Sequence, residues 1–213
     1  MKYVLPDHGY NLMLVTDRTR SRLPLPELVR LAVEGGVNAV QIREKDLVES
    51  ELIDLAGQVL EVACDKAWVV VNGSLGAAET LGIGVHLPER GQSIEHARGI
   101  LGKDAIIGRS VHSVHEAAHS EGADYLIAGP VYATRTKPDV TLLPLEQLGA
   151  IANVTSAPVF AIGGIDAKSA PDSMTFGALG VAVIGAISEA DDPRAAAAEI
   201  RKALDAHAAI AVR

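Results

Sequence analysis

"LMLVTDRTRSR", residues 12–22, decides the fold. Four apolar residues and Thr16 make a short buried strand. The turn that follows carries Asp17, Arg18, Arg20 and Arg22 and contains no glycine. An open, doubly wound sheet usually sets its phosphate-binding glycines directly after its first strand. In this chain the glycine-rich turns come after the last two apolar runs instead, as "AIGGI" (161–165) and "VIGAI" (183–187). A (β/α)8 barrel commonly holds phosphate at that place, so a barrel is the preferred reading and the open sheet its rival.

Working outward, short apolar runs recur along the chain. They are "LMLVT" (12–16), "AVQIR" (39–43), "AWVVV" (67–71), "IGVHL" (83–87), "AIIGR" (105–109), "DYLIAG" (124–129), "PVFAIG" (158–163) and "GVAVIG" (180–185). Segments of helical periodicity lie between them. "PLPELVRLAVEGG" sets Leu28, Leu31 and Ala32 on one face and stops at glycine after Glu34. "ESELIDLAGQVLEVACDK", "SVHEAAHSEGA" and "DPRAAAAEIRKALDAHAA" read as helices too, with start signals at Ser113 and Asp192. Eight strands alternating with helices predict one α/β domain over residues 1–213, a single (β/α)8 TIM barrel.

Composition narrows the partners. The chain has 213 residues and a net charge of −8, which argues against long-range attraction to nucleic acid or a membrane surface. Aromatic residues are only 3%, too few for a base-stacking platform. The single Cys64 allows no internal disulfide, and no run is long enough for a membrane span. A cytoplasmic enzyme acting on a small molecule is the expectation. Barrels of this type commonly pair, so a homodimer is a candidate assembly.

Strand parity then selects site residues. The second strand sends Gln41 and Arg43 inward, with Lys45 just past its end; Glu44 is available to neutralise Arg43. The third strand ends at Asn72, and the fifth carries Ser110 and His112 on one parity. The loop after the sixth strand holds Thr134, Thr136 and Lys137. Gly163, Gly164, Gly185 and Ala186 offer backbone N–H groups to a phosphate. His112 is the best acid–base candidate, because an ordinary imidazole titrates near neutrality. His86 lies deeper and reads as a core histidine, whereas His115, His119 and His207 fall on helices and face solvent. No cysteine cluster suggests zinc, and no metal ligand is assigned.

Taken in order, "LMLVTDR", "VQIREKD", "VVVNGS", "GVHLPE", "IIGRSVHS", "ADYLIAGPVYATRTK", "PVFAIGGI" and "GVAVIGAI" resemble the successive blocks of the thiamin phosphate synthase and thiazole tautomerase superfamily, over about residues 12 to 190. The resemblance implies a (β/α)8 barrel acting on a thiazole phosphate in thiamin biosynthesis. The synthase joins a hydroxymethylpyrimidine diphosphate to the thiazole phosphate and expels diphosphate. The tautomerase aromatises a carboxythiazole phosphate by moving a proton. The synthase pattern has Asp after the Asn of the third strand and a second Asp after the fourth, and they bind magnesium. This chain has Gly73 and, by ungapped match, Gly91 at those places, with Glu89 nearby. The lost carboxylates favour a metal-free tautomerase with His112 as proton shuttle, a reading that needs no cofactor. "QIREK" and "TRTK" keep much of the synthase's diphosphate-binding set, so a divergent synthase with magnesium is the alternative. A non-catalytic thiazole-phosphate-binding barrel is a further one.

Overall fold

The computed structural model describes residues 10–134 and 140–211. Its eight strands are β1 (Asn11–Val15), β2 (Ala39–Ile42), β3 (Trp68–Asn72), β4 (Gly84–Leu87), β5 (Ile107–Val111), β6 (Tyr125–Ala128), β7 (Val159–Ile162) and β8 (Gly180–Val183). All run parallel, each pairs with the next, and β8 pairs back onto β1 to close a barrel. The helices are α1 (Leu25–Glu34), α2 (Glu49–Ala63), α3 (Leu75–Leu81), α4 (Ile94–Leu101), α5 (Val114–Ala118), α6 (Leu145–Val154), α7 (Ala170–Thr175), α8 (Gly185–Ser188) and α9 (Pro193–Ala211). A 3-10 turn over Arg18–Arg20 follows β1. The barrel expectation is met.

Each strand is buried on both faces, which explains its near-continuous apolar sequence. Met13, Val15, Val70, Tyr125, Ile127 and Phe160 fill the inside of the barrel. Leu12, Leu14, Val40, Ile42 and Val71 point the other way, against Leu28, Val29, Ala56 and Val59 of the helices. Each fully buried side chain of this size contributes about 1.5–3 kcal/mol. Helix starts are fixed locally. Ser74, Ser93 and Ser113 each accept a hydrogen bond from the backbone N–H three residues on, and Asp192 accepts from Ala195. Such caps are worth about 1 kcal/mol apiece. No helix among the described residues is long and apolar enough to cross a membrane.

Most strand ends fall within one residue of expectation, and β5 and β8 depart by two. β5 runs over Ile107–Val111 and not 105–109. Gly108 faces inward there, and a Cβ at that position would overlap the Tyr125 ring, so the glycine is a packing requirement and the strand continues through Ser110. The last strand ends at Val183, because Gly185 already opens α8.

Candidate active site

A cavity of about 620 Å³ opens at the C-terminal ends of the strands. Gln41, Arg43, Lys45, Asn72, Ser110, His112, Thr134, Gly163, Gly164, Gly185 and Ala186 all line it. Thr136 and Lys137 lie outside the described residues. Period-2 alternation is what gathers the strand residues: every named one from β2 to β5 stands on the inward parity.

The glycines have geometric reasons to be glycine. Gly163 and Gly164 have φ of +103° and +62°, which L-residues rarely adopt. A Cβ on Gly163 would overlap Pro130, and one on Gly164 would overlap the Ala133 carbonyl. Gly185 and Ala186 are the first two residues of α8, where helical N–H groups have no partner within the helix.

Beneath the mouth runs a buried polar chain. The Asn72 amide donates to Gln41 Oε1 at 2.9 Å. Gln41 Nε2 lies 3.8 Å from Met13 Sδ, and the Tyr125 hydroxyl lies 3.0 Å from His86 Nδ1. His86 Nε2 lies 2.8 Å from Ser110 Oγ. Burial, with Arg109 and Arg43 adding repulsion, pushes the His86 imidazole down to about 3, so it is neutral. Burial also holds the Tyr125 phenol well above its ordinary value, hence protonated. A protonated phenol can donate to His86 Nδ1. The remaining imidazole proton then sits on Nε2 and is donated to Ser110. Ser110 is left with its own hydroxyl proton for whatever enters the cavity. The core-histidine reading of His86 is correct as to burial, yet His86 also lines the cavity.

His112 stands at the end of β5, its Nδ1 donating to the Gly129 carbonyl. In the neutral ring that bond leaves Nε2 as the acceptor, facing the mouth 3.7 Å from a Glu89 carboxylate oxygen. Among the described residues, no histidine besides His86 and His112 lines the cavity. His115 on α5 and His119 just past its end stand four residues apart, a His-x-x-x-His spacing that corrects the expectation of no such pair, but their rings stack 4.2 Å apart. They do not converge on a metal. His207 packs its ring 5.7 Å from that of Tyr10.

Glu44 is not the partner of Arg43. Glu44 is buried and accepts from Thr16 Oγ1 at 2.6 Å, from the Arg18 backbone N–H at 3.0 Å and from the Arg18 guanidinium at 3.3 Å. Adjacent residues of an extended chain point to opposite sides, so the two cannot share one face. Among the described residues, neither the Arg43 nor the Arg90 guanidinium has a hydrogen bond or an ion pair. Burial pushes Arg43 below the ordinary guanidinium value, opposed by weaker attraction to Asp17 and Glu44; arginine nonetheless stays charged in proteins.

Arg20, Arg90 and Glu189, which sequence reasoning did not assign, also line the cavity. Arg20 Nε donates to Glu189 at 2.6 Å, tying the turn after β1 to the end of α8. The only signal for Arg20 was its place in a cationic strand-end turn. Arg90 lies in a loop with no period to read.

The carboxylates at the mouth do not fit a metal held by protein side chains. Among the described residues, no three His, Cys, Asp or Glu side chains form such a group. Asp166 is committed to its own turn, accepting from the Lys168 and Ser169 N–H groups, and Glu189 pairs with Arg20. Glu89 alone remains. Magnesium bound by a protein generally uses one or two carboxylates with substrate phosphates.

Fold and site together define a (β/α)8-barrel protein with a cationic, glycine-lined mouth suited to phosphorylated small molecules. The model of the thiamine monophosphate synthase family matches residues 12–187, and the chain belongs to that family. A thiamine-phosphate synthase from Thermobifida fusca (strain YX) is 39% identical over 206 residues, covering 93% of this chain and 94% of that protein. One from Clostridium botulinum (strain Kyoto / Type A2) is 40% identical over 195 residues, covering 89% and 95%. A solved structure of a thiamine phosphate pyrophosphorylase from Pyrococcus furiosus superposes with a TM-score of 0.85 at 35% identity, covering 93% of this chain and 96% of that one.

These relatives overturn the preference for a tautomerase, and with it the isomerase class and the proton-shuttle role of His112. That preference weighed two missing carboxylates above the cationic residues. The similarity to proteins named as synthases runs over nine-tenths of the chain despite those losses.

Proposed function

We propose that this chain is a thiamin phosphate synthase, a transferase working on two small phosphorylated substrates. The observation that carries the reading is the 39–40% identity, over most of both chains, to thiamine-phosphate synthases. In the reaction, the bond between the pyrimidine's methylene carbon and the diphosphate oxygen breaks, and its electron pair leaves with the diphosphate. The thiazole nitrogen supplies the pair for the new bond to that carbon. No net proton transfer is needed.

The residues take these roles. Gly163, Gly164, Gly185 and Ala186 hold the thiazole's phosphate with backbone N–H groups. Arg43 and Lys45 face the diphosphate together with Thr134. Gln41, Asn72 and Ser110 orient the pyrimidine by hydrogen bonds, Ser110 as a donor. His112 offers Nε2 as an acceptor for a substrate N–H. Preorganised cations aimed at the developing charge of a leaving group are worth several kcal/mol of barrier. The family resemblance implies magnesium as well, but among the described residues the mouth keeps only one uncommitted carboxylate for it, Glu89, and no step is assigned to it. The location that suits this reading is the cytoplasm.

The test is to mix the protein with the pyrimidine diphosphate and the thiazole phosphate and follow thiamin phosphate by chromatography and diphosphate by coupled assay. Stoichiometric appearance of both is expected. Failure to form either product from a folded protein, in magnesium and in chelator alike, overturns the reading.

A further inference from the structure

Three features of the mouth point the same way. The first is the shape of the backbone where the family pattern has carboxylates. Gly73 has a φ of +79°, a conformation that favours glycine. A Cβ on Gly91 would sit 2.9 Å from Pro88 Cδ and 3.0 Å from the Pro88 carbonyl oxygen. The positive φ at Gly73 strains any side chain, and one at Gly91 would press on Pro88, so both loops are shaped around the missing carboxylates. The second is Arg90. It lies in the loop between β4 and α4, one residue before Gly91, and lines the cavity. That loop is pinned by Arg109, which donates to the carbonyls of Glu89 at 2.8 Å and Gln92 at 2.7 Å. The third is that the Arg43 and Arg90 guanidiniums have no carboxylate partner among the described residues, although both border one cavity.

We propose that in this chain Arg90, together with Arg43, neutralises the diphosphate group in place of a divalent ion gripped by side-chain carboxylates. A guanidinium is permanently charged and presents a planar fork that binds two phosphate oxygens at once. It replaces the ion's charge but leaves no ligand to exchange. The inference rests on the synthase reading for the identity of the diphosphate, and it concerns how that group is held.

Calorimetric titration with inorganic pyrophosphate, in chelator and in excess magnesium, separates the two ways of holding it. Binding is expected in chelator, with magnesium tightening it by less than about threefold. R90Q, at an exposed position that folding does not depend on, should weaken binding in chelator by about tenfold, and E89Q should leave it equal or stronger. Binding that appears only with magnesium, or an R90Q protein that binds like wild type, overturns the inference. A parallel turnover assay keeps the two readings apart. Turnover with magnesium, alongside pyrophosphate binding that needs the metal, sinks the inference and leaves the synthase. Metal-free pyrophosphate binding lost in R90Q, without turnover of the two substrates, supports the inference and sinks the synthase.

Discussion

Arg43 is a cation held partly out of water, with no hydrogen-bonded or ion-paired carboxylate among the described residues and only weak attraction from Asp17 and Glu44. It is an expense to the fold, justified by an anion that arrives with the substrate. Arg43→Gln should therefore lower turnover by about 10²–10³-fold, on the order of 3–4 kcal/mol, while leaving the melting temperature unchanged or slightly raised. Differential scanning fluorimetry beside a rate assay checks both halves. His86 gives a second prediction. Its folded value of about 3 lies below the 6.5 of an exposed imidazole, so between those limits the unfolded chain binds more protons. The stability due to neutral His86 is fully present above about pH 6.5 and is lost as pH falls toward 3, up to a few kcal/mol in all. Denaturant titrations from pH 7 to 4 should show that decline, and His86→Gln should flatten it. Strand parity made Gln41, Arg43, Ser110 and His112 legible in the sequence. The same rule places Glu44 on the opposite face, which removes the alternative that it neutralises Arg43. Arg90 was not legible, because a loop has no periodicity and its inward aim depends on the clamp by Arg109.

At the scale of elements, Glu44 joins the turn after β1 to the end of β2, and so sets where Arg20 and Arg43 begin. Glu44→Ala removes the acceptor for Thr16 and for the Arg18 backbone. A loss of about 2 kcal/mol in a urea unfolding curve is expected, with Arg18 kept in place by Asp46. The start of α5 was readable from Ser113 alone, since a cap is a local contact. The start of β5 was not, because Gly108 takes its meaning from a tyrosine on the neighbouring strand. Local signals survive in sequence; those that rest on a distant ring do not.

Over the whole molecule, the mouth draws on loops and strand ends from β1 through β8, so a ligand bound there braces the entire ring. At a concentration of 100 times its dissociation constant a ligand adds about 2.7 kcal/mol, which for a chain of this size raises the melting temperature by roughly 5–11 °C. Pyrophosphate together with thiazole phosphate should show at least that shift by fluorimetry, and an unshifted midpoint would mean that neither binds the folded protein. The barrel itself was legible from the glycine-free turn at residues 16–22 and the late glycine turns. Which reaction the barrel runs was not, because absent carboxylates say what cannot grip a metal and not what the remaining cations can hold.

The ring of His207 rests against Tyr10, and Arg201 donates to the Tyr10 carbonyl at 2.7 Å. Tyr10 immediately precedes β1, at the floor of the barrel, with the entrance at the opposite end. A tether, bead or fused carrier joined next to either aromatic would hang from the base, leaving the doorway clear for incoming molecules.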